Sequence, residues 1–503
     1  MITPKKISVF IGSVITCLLL ISLCFPKGEI KISGVQILRF PSIYEIFNPP
    51  KTEYADISDL IEMDRENIDS ALSAKVLPSE NQLSDKLFKE TVHFDTVRAN
   101  TELLLRNFRK LEYPNNDYTI LYTFYNQLNN IRHSKNILRI MHYGDSQIEG
   151  DRITSFIREK FQEQFGGSGP GILPVVQPYG QFSMKQEVSG QWKRYTLFGS
   201  KNSSVYHNRY GVLASFCRFS PTNINEKTKT YEAWFKTESS VLSYPLAKNY
   251  EKFRIFYGYN KKPFIIQLYS GKKMIDADFI PVSNDMNVLE WDFKNTPGNL
   301  TVKIKGEDSP DIYALSFEGN GGVVMDNIPM RGSSGLVFTK MDRKLMKNMY
   351  NEMGVNLIIL QFGGNAVPYI ADNYERYGRL FYEQLMRLKS IVPGVPIVVV
   401  GVADMSVKEK GIYKTYPVLP KVRDAMKKAA FDAGCAYWDM YEAMGGENSM
   451  PSWVFARPSL ASSDFVHFNH KGARLIAEMF YQALIYDYNK YLKANMANMV
   501  ANR

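Results

Sequence analysis

The chain has 503 residues, of which 45% are hydrophobic and 22% charged, which is the make-up of a folded globular protein and excludes a disordered one. Lys and Arg total 61 against 51 Asp and Glu, and this net charge of +10 is spread without a dense basic stripe, so no nucleic-acid partner is indicated. Four cysteines are too few for a disulfide scaffold, and no CxxC pair offers a zinc site.

Lys5 and Lys6 precede an uncharged run over 7–25, closed by Pro26 and Lys27. That length suits a membrane-spanning helix. Ser22-Leu23-Cys24 provides neither a small-residue cleavage site nor a good lipobox, because Leu23 is too large. An uncleaved anchor is favoured over a cleaved signal, with the rest of the chain outside the cytoplasm. Residues 28–80 hold Pro41, Pro49, Pro50 and Pro78 and read as a stalk. Over 81–132 apolar residues recur at helical spacing, as at Leu121, Phe124, Tyr125 and Leu128.

The apolar run 137–143 reads as a strand ending in Gly144-Asp145-Ser146, with a helix expected over 152–165. From about 180 to 318 strand-like segments follow one another at 231–236, 253–259, 264–269, 288–293, 300–304 and 312–317. Turn signals such as Ser270-Gly271 and Pro297-Gly298 separate them, as in an all-β sandwich. After 320 the pattern returns to α/β, with strands expected at 322–325, 355–361, 396–402 and 436–438 and helices at 373–391 and 421–433. An α/β domain of five parallel strands is therefore split by an inserted sandwich, which we expect to fold as its own unit. Cys217 and Cys435 read as two unrelated buried thiols.

Gly-Asp-Ser alone is a weak signal, since a serine after a strand often caps a helix. Its place at the end of the first strand is where open α/β sheets carry their sites. A hydroxyl needs a base to act as nucleophile. Asp464-Phe465-Val466-His467 supplies one, with a carboxylate three residues ahead to orient the imidazole. Two further segments follow expected strands. One ends at Gly332, whose backbone N–H suits an oxyanion hole, and the other at Gly363-Gly364-Asn365, whose amide does the same. Asp464, His467 and His470 also have the spacing of a metal site, but such a site would explain only one of the four motifs.

Taken in order, the four motifs resemble the SGNH (GDSL-type) hydrolase family. Gly144-Asp145-Ser146 is similar to its first block, Gly332 to the glycine of its second and Gly363-Gly364-Asn365 to its third. Asp464 to His467 is similar to the fifth block, which Gly472 and Ala473 continue. Gln147 stands where that family often has Leu, Ala366 where it often has Asp, and Gly335 lies close to Gly332. The resemblance covers 135–175 and 320–490 and implies a flavodoxin-like three-layer α/β/α fold. It implies hydrolysis or transfer of an acyl ester without metal or other cofactor. Ser146, Asp464 and His467 would then be catalytic, and Ser146, Gly332 and Asn365 would form the oxyanion hole.

The inserted, jelly-roll-like sandwich narrows the resemblance to bacterial peptidoglycan O-acetylesterases, which carry a carbohydrate-binding-like module there. The implied substrate is acylated cell-envelope polysaccharide, with the protein held at the membrane by its N-terminal helix. An envelope O-acetyltransferase and a non-catalytic glycan-binding protein are the competing readings. Trp192, Trp234 and Trp291 are candidates for sugar stacking, each more in keeping with a core role. The domain plan is an anchor or signal over 1–27 and a stalk with helical lead-in over 28–132. The hydrolase domain follows over 133–179 and 319–490, around the sandwich at 180–318, with a tail over 491–503.

Overall fold

A computed structural model of the chain describes residues 4–25, 29–32, 35–39, 54–61, 109–131, 134–200, 202–222, 229–370 and 373–501. Met1–Tyr54 and Ala55–Arg503 are two compact units. The first contains helix α1 (Pro4–Cys24) and an antiparallel hairpin of β1 (Glu29–Ile32) and β2 (Val35–Arg39). Lys6–Cys24 is long and apolar enough to cross a membrane, and side chains such as Ile11, Leu18 and Leu23 are exposed. The hairpin lies within the expected stalk. The helical expectation over 81–108 falls outside the described residues.

The second unit is built on a five-stranded parallel sheet. Its strands are β3 (Ile137–Gly144), β15 (Gly322–Pro329), β16 (Val355–Gln361), β17 (Ile397–Val400) and β20 (Ala436–Trp438). Their order is β15-β3-β16-β17-β20. In chain sequence this is 2-1-3-4-5, the doubly wound order in which a site forms beside the first strand. The strands are near-continuous apolar runs because both faces are covered. Leu138, Ile140, Leu357 and Ile359 face one core with α2 (Tyr122–Asn130), α3 (Thr154–Phe165) and the first turns of α7 (His470–Ala501). Met141, Tyr143, Ile358 and Leu360 face the other, with α4 (Arg343–Met353), α5 (Tyr374–Ile391) and α6 (Leu419–Asp432).

Two antiparallel sheets lie between β3 and β15 in the chain. One has the order β11-β10-β13-β8-β5 and the other β12-β9-β14-β7-β6, with β4 added on β14. These are β4 (Gly171–Leu173), β5 (Met184–Val188), β6 (Lys193–Thr196), β7 (Ser215–Arg218), β8 (Tyr231–Ser239) and β9 (Lys252–Gly258). β10 (Phe264–Ser270), β11 (Lys273–Ile280), β12 (Met286–Asp292), β13 (Asn299–Gly306) and β14 (Asp311–Glu318) complete them. A third core, with Phe253, Leu268, Val302 and Phe317, fills the space between the sheets.

Three expectations change. The sandwich takes in Gly171–Leu173, ahead of the boundary expected at 180. The expected tail at 491–503 is largely helix, because α7 continues to Ala501. The sandwich is also no self-contained insert: Tyr195, Phe216, Phe256 and Tyr313 share one apolar core with Met141, Tyr143, Met349 and Tyr350 of the α/β layers. Cys217 and Cys435 are both buried and free, in different cores.

Charge closes the same seam. Arg139 of β3 is fully buried and donates to both oxygens of Asp326 at 3.0 Å and to Glu318, the last residue of β14. Asp326 also accepts from the backbone N–H of Ile172 in β4 at 3.0 Å. Arg254 of β9 lies 3.9 Å from Glu318 and pairs with Glu352 of α4. Removing one member leaves buried charge uncompensated, which typically costs about 3–5 kcal/mol. Arg139→Met should therefore lower the unfolding free energy by about that much, read from urea denaturation. A loss near zero would show that the two carboxylates find water or protons instead.

Candidate active site

Strand register decides where the motifs meet. Gly144, at the end of β3, is level with Pro329 of β15 and Gln361 of β16. The segments after all three strands thus leave one edge of the sheet together. A Cβ on Gly144 would lie 2.9 Å from the carbonyl oxygen of Gln361 and from Ile148, so only glycine fits. Asp145 then caps the turn, its Oδ1 accepting from the Gln147 N–H at 3.0 Å. Ser146 opens a 3-10 turn over Ser146–Asp151, ahead of the helix that begins at Thr154. Gly150 and Asp151 have φ of +70° and +67°, which no α-helix accommodates. Arg158 of α3 fixes Asp151 there through two bonds of 2.8 and 3.0 Å.

Ser146 Oγ lies 2.8 Å from His467 Nε2. The other ring nitrogen, Nδ1, lies 2.8 Å from Asp464 Oδ2. Asp464 Oδ1 accepts from the backbone N–H groups of Val466 and His467 at 2.9 and 3.0 Å. Although partial burial opposes it, these bonds hold the Asp464 carboxyl below its usual range. The loop is strained, since Phe465 has φ +58° in the left-handed region. Phe465 is held by stacking on Tyr413, ring centroids 3.5 Å apart, in a hairpin of β18 (Ser406–Glu409) and β19 (Ile412–Thr415). Asn469 Oδ1 caps α7, accepting from the Lys471 and Gly472 N–H groups at 3.0 and 3.1 Å. A Cβ on Gly472 would sit 1.9 Å from the Leu460 carbonyl oxygen.

Gln147, which departs from the common family pattern, grips the His467 loop. Its Nε2 donates to the Val466 carbonyl at 2.6 Å, and its Oε1 accepts from the Phe468 N–H at 3.5 Å. Asn365 comes to the same edge. Its amide nitrogen donates to Asp145 Oδ2 at 3.3 Å and to the Ser333 carbonyl at 3.2 Å, so both protons are engaged. Gly332 is exposed, with φ +75°, and does not line the cavity at Ser146. His470 begins α7, and among the described residues no three His, Cys, Asp or Glu side chains gather as a metal site.

No family model matches the chain, and no curated protein matches it. Among solved structures, a peptidoglycan O-acetylesterase superposes with a TM-score of 0.58 at 18% identity, over 73% of this chain and 96% of that one. The fold is SGNH-hydrolase-like. A salicylyl-acyltransferase from a tetracycline biosynthetic pathway matches 51% of this chain and 82% of its own at 12% identity, with a TM-score of 0.26. An acetyl xylan esterase matches 32% and 81% at 13% identity, with a TM-score of 0.26. TM-scores that low establish no shared fold.

Within this SGNH-like fold Ser146 and His467 border a cavity of about 250 Å³. Its walls include Phe362, Val402, Met405 and Tyr416, with exposed Tyr369 at the rim. Ligand pockets for drug-sized molecules run from about 300 to 1,000 Å³, so this one suits a small group. Two buried carboxyls adjoin it. Burial pushes Asp145 up to about 6, and Asp404, held by Thr415, Ser449 and the Met450 N–H, is likewise pushed up to about 6. Behind the sheet edge His142 is fully buried between Gln361 at 3.1 Å and Thr154 at 2.9 Å. Burial pushes it down to about 4, so it stays neutral.

Asp145 binds its proton more tightly in the folded chain than in the unfolded one, where a carboxyl titrates near 3.9. Its ionisation therefore opposes folding, and stability falls as pH rises from about 4 to about 6. Asp145→Asn removes this effect. Between pH 4 and 7 the variant should gain about 3 kcal/mol relative to the parent chain in urea unfolding. A difference independent of pH would mean that the carboxyl is well solvated.

Proposed function

We propose that this protein is a serine esterase that removes short acyl groups, O-acetyl above all, from cell-envelope polysaccharide such as peptidoglycan. The observation that carries the reading is the relay from Ser146 Oγ through His467 to Asp464, two contacts of 2.8 Å beside a small cavity. In the proposed reaction His467 Nε2 takes the proton as Ser146 Oγ bonds to the acyl carbon. The carbonyl electrons move to oxygen, and the oxyanion meets the Ser146 N–H and the amide of Asn365. Asn365 must release Ser333 or Asp145 to do so. Collapse breaks the bond to the sugar oxygen, which takes the proton from His467. Water, deprotonated by the same imidazole, then attacks the acyl-enzyme and frees the carboxylic acid and Ser146.

The envelope setting is supported by α1, whose apolar length suits an anchor, and by the fold shared with a peptidoglycan O-acetylesterase. Of the three tryptophans, Trp234 is 39% exposed on the outer sheet, whereas Trp192 is buried and Trp291 stacks on Phe253. Trp234 is the one free to meet a sugar.

With a chromogenic acetyl ester, Ser146→Ala and His467→Ala should each lower kcat by roughly 10⁴–10⁶, and the double variant should be scarcely worse. Asn365→Ala should cost about 10²–10³. Activity should fall steeply from acetyl to octanoyl esters because of the cavity's size. Near-normal turnover by Ser146→Ala would overturn the reading.

Gln147 tests positioning separately. Gln147→Ala should lower kcat about 10–100-fold with KM little changed, because it loosens the loop that carries the base. Gln147→Glu, which keeps an acceptor for the Phe468 N–H but loses the donor to Val466, should fall between the two. Equal activity of all three proteins would remove the positioning role.

A further inference from the structure

A second cavity, of about 440 Å³, lies between the sandwich and the turn that follows Ser146. Arg194 of β6, Tyr179, Phe198, Gln181, Glu149 and Arg331 line it. Glu149 lies in the Ser146 turn, and Arg331 immediately precedes Gly332, so the cleft continues along the same sheet edge.

The two arginines differ. Arg331 is satisfied: its Nε donates to both Glu149 oxygens at 2.9 and 3.0 Å. Its guanidinium lies 3.7 Å from the centroid of the Tyr179 ring and holds that ring as a wall. Arg194 is half-buried, and among the described residues its side chain makes one hydrogen bond, from Nε to Ser215 Oγ at 3.1 Å. Among the described residues no carboxylate pairs with it. Burial lowers its pKa, the sign of a cation without a counter-charge. Strand pairing of β6 with β7, Arg194 opposite Cys217, fixes the backbone beneath it. A desolvated guanidinium lacking a partner is unfavourable in the free protein, and its planar fork is matched by a carboxylate. Amide groups such as Gln181 and a Tyr179 wall are what a sugar ring needs beside that charge.

We propose that this cleft binds a carboxylate of the polymer substrate, seated on Arg194, so that the enzyme acts on acidic glycans. That the ligand is an acylated glycan rests on the esterase reading. The carboxylate itself is carried either by a sugar ring or by a peptide attached to the glycan.

Calorimetry on the full chain with ester-free ligands tests the cleft apart from catalysis. The probes are trigalacturonate for ring carboxylates, a disaccharide muropeptide for peptide carboxylates, and neutral chitotriose. At least one acidic ligand should bind ten-fold or more tighter than chitotriose, and the advantage should shrink with added salt. Arg194→Gln should abolish the advantage, and Arg194→Lys should keep part of it. The tighter acidic ligand identifies the source of the carboxylate. Equal binding of all three ligands to the parent chain overturns the proposal without any variant, as does an Arg194→Gln protein that folds and keeps the preference. Loss of esterase activity in the parent chain with the preference intact would remove the catalytic reading and leave the acidic cleft standing.

Discussion

Arg139 is the charge on which the arrangement of layers turns. It lies on β3, second in the parallel sheet and wholly out of water, and holds Asp326 of the neighbouring strand and Glu318 at the close of the sandwich. Such a group is tolerable only when its partners are fixed in number and direction. Glu318 and Asp326 are separated by one tight connection, and Asp326 also takes the Ile172 N–H. One guanidinium thereby dictates how the chain leaves the sandwich and re-enters the parallel sheet. The residues of the core shared by the sandwich and the α/β layers, Tyr143, Tyr313 and Tyr350 among them, supply attraction without direction. The ion cluster supplies the direction.

From that fixed re-entry the site geometry follows. β15 and β16 flank β3 with their ends level, so three short loops are presented side by side. The fourth contribution arrives from the far end of the chain and is secured differently. The His467 loop leans on Tyr413, is gripped by Gln147, and passes directly into a capped helix. Rigid strand ends thus hold Ser146, while side-chain contacts hold His467. The strain at Phe465 is located in the latter.

Much of this was legible in the residues. The five parallel strands, the principal sandwich strands and the motifs that gather at the sheet edge all announce themselves through apolar runs or turn chemistry. What escaped has identifiable physical causes. β11 is exposed along nearly its whole length, so it lacks the alternation that betrays a strand. β4 to β7 are short, and the β18–β19 hairpin carries Lys408, Lys410 and Lys414 instead of an apolar face. The six-residue turn after Ser146 hides because its left-handed Asp151 depends on Arg158, a contact set by tertiary packing. Gln147 was noticed, but its partners are backbone groups some 320 positions away in sequence, which spacing cannot foretell. The shared core under the sandwich is invisible for the same reason.

The placement of α7 ties the cover of the sheet to the position of the imidazole. This one helix of 32 residues starts three positions after His467 and sends Leu475, Ile476, Met479, Phe480 and Leu484 beneath the parallel sheet. Asn469 caps it two positions after His467, so the loop that carries the imidazole is anchored on a helix that joins α2 and α3 in covering that face of the sheet. Unravelling the start of α7 would therefore uncover part of the sheet and release the imidazole from Ser146 together.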